Sequence, residues 1–138
     1  MATSVSTIRG MNTNLAVRLK AEGITNTDHL MEAAGKPGPR RELAKKLGVS
    51  PSELLELVNR ADLARIKGIG DAFANLLEEA GVDSVKELAR RVPANLHERM
   101  AKLNEEKKIA SRVPTVDMLT AWIEEAKDIQ KGSGAVQE

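Results

Sequence analysis

Apolar residues fall at helical spacing along most of the chain, and Gly, Pro and small polar residues interrupt them at short intervals, which predicts a run of short helices. The sharpest stretch is residues 63–81. There a short apolar helical turn (Leu63, Ile66) leads into Lys67-Gly68-Ile69-Gly70, and a second helix carries Phe73, Ala74 and Leu77 on one face. Asp71 is the expected N-cap of that helix and Gly81 its stop. Gly68 and Gly70 lack a Cβ, so both are expected to permit positive φ and the close approach of another chain. Ile69 between them is expected to turn into the crevice of the two helices.

The same reading covers the rest of the chain. A short helix is expected to end near Arg9, and a second to run from about residue 14 to 22, capped by Thr13 and stopped by Gly23. A third spans roughly residues 27–34 and ends at Gly35; residues 36–39 read as a loop, and 40–47 as a basic helix with Leu43, Ala44 and Leu47 inward. Ser50-Pro51-Ser52-Glu53 is a capping box opening a helix whose apolar face is Leu54, Leu57, Val58 and Ala61, and which leads straight into the turn at 67–70. Ser84 repeats the capping signal for a helix to about Arg91, ended by Pro93. A longer helix uses Leu96, Met100 and Leu103, and Thr115 caps a last one with Val116, Leu119, Trp122, Ile123 and Ile129 as its stripe. Residues 132–138 have no apolar pattern and are expected to form a flexible tail.

Shifted by 58 positions, the chain matches itself: Ile8, Gly10, Ala16, Leu19, Gly23 and Leu30 fall on Ile66, Gly68, Ala74, Leu77, Gly81 and Leu88. Arg9 pairs with Lys67, Met11 with Ile69, Leu15 with Phe73 and Ile24 with Val82. One such hairpin cannot bury its apolar face alone, which is a physical reason to pair two. In the first copy Asn12 stands where the second has Gly70; Asn tolerates positive φ but keeps a side chain, so that turn is the poorer phosphate cradle.

The order Ile66, Gly68, Ile69, Gly70, Ala74, Leu77 resembles the helix-hairpin-helix motif, and the resemblance implies a hairpin that grips a nucleic-acid phosphate without reading sequence. Over residues 4 to about 130 the chain also resembles a mostly bacterial family known as domain of unknown function 4332. The segments 58–63, 93–97, 104–108 and 112–114, with Trp122, carry that likeness. It implies a compact tandem helix-hairpin-helix fold and no established activity. The expectation is therefore an all-α single domain over residues 1–131, made of two pseudo-twofold related units at about 4–60 and 61–131.

Composition narrows the chemistry. Phe73 and Trp122 are the only aromatics, so the core is aliphatic and no platform exists for stacking single-stranded bases. With no Cys, disulfides, thiolate catalysis and cysteine zinc sites are excluded. His29 and His97 lack metal-like spacing, and neither a metal nor a cofactor is expected. No segment reaches membrane-spanning length, and the start at Met1 has neither a basic nor an apolar run, so a cytoplasmic location is the default. Net charge is only +1, but residues 1–69 hold 11 Lys and Arg against 7 Asp and Glu, whereas residues 70–138 hold 10 against 13. The basic character is localised, which allows a modest phosphate-binding patch.

Candidate nucleic-acid contacts are Lys67, Gly68, Ile69 and Gly70 in the second turn, Arg9 and Gly10 in the first, and Arg40 and Arg41 in the basic helix. Asp71 opposes them, because a capping carboxylate competes for the N–H groups an anion would use. The bland reading of the second turn is a tight connection, and that of the basic helix a solvated face. No activated nucleophile or metal cluster can be assembled, so no catalysis is expected; Asp83 and Lys86 read as a cap and a first turn. Two functions stay open: a sequence-independent module for duplex DNA or structured RNA, and a helical adaptor docking on a protein through the mixed-charge helices.

Overall fold

A computed structural model describes residues 3–132 and 135–137. Eight α-helices are found among them, and no strand: α1 Thr13–Ala21, α2 Thr27–Ala34, α3 Pro37–Leu47, α4 Pro51–Ala64, α5 Asp71–Glu79, α6 Val85–Ala89, α7 Pro93–Lys107 and α8 Val116–Lys131. A single 3-10 turn, Val5–Thr7, precedes α1 where a short helix ending near Arg9 was expected. The chain divides into two units, Met1–Asp62 with Gly134–Glu138, and Leu63–Ser133. The division falls inside α4, whose last residues, with Leu63 fully buried, enter the apolar cluster of the second unit.

Each unit has its own aliphatic core. In unit 1 Leu19, Leu30, Leu54 and Val58 are completely buried; in unit 2 Leu76, Leu77, Leu88, Met100 and Leu119 are. The 58-residue repeat extends to the main chain. Met11 N–H donates to Ile8 O at 3.0 Å, and Ile69 N–H to Ile66 O at 3.2 Å. At the far end of the following helix, Ile24 N–H reaches Leu19 O at 2.9 Å, and Val82 N–H reaches Leu77 O at 2.8 Å. Gly10 and Gly68 both take positive φ, +84° and +95°, and so do Gly23 and Gly81. These are left-handed positions where a Cβ is costly, so glycine recurs there.

Several boundaries differ from the sequence reading, each for a local reason. Asn12, not Thr13, caps α1: its φ is −100° and its Oδ1 accepts from Leu15 N–H at 2.7 Å. Gly70, not Asp71, caps α5, with φ −90°, so neither second-position residue uses the left-handed region. Residues 37–39 are the first turn of α3 and not a loop, and Pro93 opens α7 as well as ending the segment before it. Proline is tolerated there because the first-turn N–H groups have no helical acceptor anyway. The tail differs most. Val136 is buried in the unit 1 cluster, and Gln137 N–H donates to Gly35 O at 2.8 Å. Ser133, Gly134 and Glu138, also expected in a flexible tail, lie outside the described residues.

Candidate functional site

The second turn is built by unit 2 from below. Ile69 is buried, 6% exposed, and anchors the turn in the core, so of the four residues 67–70 it has no side chain to offer a ligand. Lys67, Gly68 and Gly70 are exposed. Trp122 lies against Gly68 so closely that a Cβ there would stand 3.1 Å from the indole nitrogen; the tryptophan is a wall of the turn as well as core. A Cβ on Gly70 would meet nothing within 4 Å. Because Gly70 has no side chain with which to cap, α5 begins without a side-chain cap hydrogen bond, and Asp71 is the one acidic residue of its first turn. Asp71 occupies the first helical position and is exposed.

A further cation, Arg112, joins the aromatic pair that includes the Trp122 wall. Phe73, in the first turn of α5, packs against Trp122 with ring centroids 5.5 Å apart, and the Arg112 guanidinium lies 5.5 Å from the Phe73 centroid. The Phe73 ring thus carries an exposed guanidinium. Its sequence signal was the lone Phe in an otherwise aliphatic repeat, at the position where the first copy has Leu15.

The first turn is closed. The Asn12 side chain takes the N–H that its counterpart leaves free. Arg60 packs its guanidinium directly on Gly10 and donates to the Arg9 carbonyl at 3.1 Å, while its other nitrogen pairs with Glu56 at 2.7 Å. An internal cation thus occupies the space beside the Gly10 backbone, although Gly10 is exposed and Arg9 half-buried.

The basic helix also divides. Arg40 is 3% exposed, with Nε donating to Ala34 O at 2.9 Å and Nη2 to Gly35 O at 3.1 Å and to the Gln137 carbonyl. It closes the C-terminal end of α2 and has no surface to present to a phosphate, so its place among the nucleic-acid contacts is withdrawn. Arg41, Lys45 and Lys46 are exposed, Lys46 within 3.8 Å of Glu22. The use of Arg40 is not isolated: Arg18 donates to Leu47 O at 2.8 Å, Arg91 to Gly81 O at 3.1 Å and Arg99 to Ala80 O at 3.0 Å. Helix C-termini carry unpaired carbonyls and partial negative charge, which arginine satisfies.

Elsewhere, a groove of about 530 Å³ in unit 2 is lined by Asn75, Glu78, Glu79 and Ile109, and its carboxylates suit no anion. Lys107 bonds Glu79 there at 2.8 Å, and that hydrogen bond, with the carboxylate charge, holds the ammonium above its ordinary pKa. Asp83 is exposed while Ser84, buried, caps α6 by accepting from Glu87 N–H at 3.1 Å. Among the described residues no group of three His, Asp or Glu is placed to hold a metal, and no helix is long and apolar enough to cross a membrane. The model of one family, described as Domain of unknown function (DUF4332), matches residues 9–129. No curated protein and no solved structure matches the chain.

Proposed function

The chain belongs to the DUF4332 family, and from that premise we propose a non-catalytic, sequence-independent nucleic-acid-binding module, cytoplasmic, that grips phosphate through a helix-hairpin-helix at residues 63–81. One observation carries this reading: of two turns with the same backbone, only that at 67–70 keeps the following helix end without a side-chain cap. A phosphate placed there meets N–H donors and a helix dipole, with the Lys67 charge in the turn itself. Gly70 allows the approach, because nothing stands where its Cβ would be. The tandem, pseudo-twofold arrangement of hairpins belongs to the same proposal, the first serving as scaffold.

Few cations are involved, so binding is weak. About two to four phosphate contacts give log K against log salt a slope of roughly −2 to −4, with Kd of about 10⁻⁴ to 10⁻⁶ M near physiological salt. Gly70→Glu places a carboxylate where the phosphate must sit and should remove binding to duplex DNA. Asn12→Glu should leave it nearly unchanged, because that turn is already filled. Fluorescence anisotropy at low and moderate salt, on variants shown to be folded by circular dichroism, decides the matter. If Gly70→Glu binds as the parent does, or the parent does not bind at low salt, the turn is structural.

The second reading, a helical protein-binding adaptor, is favoured by the burial of Arg40, which removes one cation from the basic helix and leaves a thinner basic surface than the sequence suggested. Absence of binding at low salt selects it.

A further inference from the structure

Residues 135–137 lie on unit 1 in the way an extended ligand lies on a receptor. Val136 inserts into the apolar cluster and is 8% exposed. The next residue is held by its main chain: Gln137 N–H donates to Gly35 O at 2.8 Å, and Gln137 O accepts from Arg40 Nη2. Gly35 O also accepts from Arg40, so one buried guanidinium ties the end of α2 to the incoming segment. Gln137 itself is exposed. The seat therefore reads one small apolar side chain and both main-chain groups of the residue after it. Extended peptides are held by this combination of main-chain bonds and a side-chain pocket on many folded domains.

We infer that the end of α2 and the start of α3 form a seat for an extended peptide with a valine-sized residue, and that the chain's own residues 135–137 are its resident occupant. A segment of the same pattern on a protein partner displaces them. The resident follows α8, a helix of the other unit, and among the described residues its recorded ties to unit 1 are the Val136 side chain and the Gln137 main chain, few enough to open without unit 1 unfolding.

The test compares the full chain with its Val136→Asp variant, using as probe a fluorescent peptide copying residues 132–138. The aspartate drives the tethered segment from its apolar seat, while the probe keeps its valine. A tethered competitor acts at an effective concentration of about millimolar, so the variant should bind the probe roughly fivefold or more tighter than the parent. A probe carrying aspartate in place of its valine should lose that binding. Equal binding of the probe to both chains, no binding to either, or equal binding of the two probes overturns the inference. Should the variant not fold, hydrogen exchange on the parent decides: the Gln137 amide should be protected, yet open at least about tenfold more often than amides of α2 and α3. Exchange in step with those helices, or no protection, overturns it equally.

Discussion

Arg40 and Arg41 are neighbours of the same type with opposite duties. Arg40 is buried and donates to three carbonyls, whereas Arg41 is exposed. Hydrogen bonds from charged groups contribute about 1.5–3 kcal/mol, and removing such a donor strands its buried acceptors. Arg40→Met, which keeps the apolar stem, should therefore cost roughly 3 kcal/mol in urea unfolding. Arg41→Met should stay within about 0.5 kcal/mol. Equal, small losses at both positions would show that the Arg40 bonds contribute nothing net. The helical spacing separates the two residues, since position 40 shares a face with Leu43, Ala44 and Leu47; what the sequence does not show is that this face meets the carbonyl end of α2.

At the scale of the element, the two glycines of the second turn are not equivalent. Gly68 has φ +95° and lies against Trp122, so Gly68→Ala should lower stability by about 2 kcal/mol, from the left-handed backbone and the crowded indole together. Gly70 has φ −90° and open space around it; Gly70→Ala should cost no more than about 1 kcal/mol. Thermal melts of the pair check this, and equal losses would contradict it. The capping signals at Ser50, Ser84 and Thr115 were legible because a short oxygen side chain followed three positions later by a helical N–H is a local pattern, and each makes that bond at 3.1 Å. The cap residues at 12 and 70 were read one position late, because Thr13 and Asp71 are themselves good cap types and the backbone register of the turn is not written in residue type. Pro37 and Pro93 were read as breaks from the same cause: a proline marks a helix boundary without saying which side the helix lies on. The candidate site was legible in its glycines and lysine. The Arg112 contact with Phe73 was not, since it joins residues 39 positions apart.

The whole molecule shows where a reading by local pattern stops. Val136 stands beside Ala135 in a stretch of glycine and polar residues, so no periodicity marks it, and only the surface it packs on reveals its burial. Unit 1 accordingly draws on residues from two distant parts of the chain. Residues 1–62 alone lack Val136 and Gln137 and should melt below the full chain; a fragment melting sharply at the parent temperature would show that the unit is complete without them. The same division has a consequence for biosynthesis. Synthesis proceeds at about 5–20 residues per second, so the segment that finishes unit 1 is made roughly 4–15 seconds after Asp62. Of the two units, the one made earlier is then sealed later, and during that interval the seat of Val136 on its apolar cluster is open to chaperones and to neighbouring nascent chains.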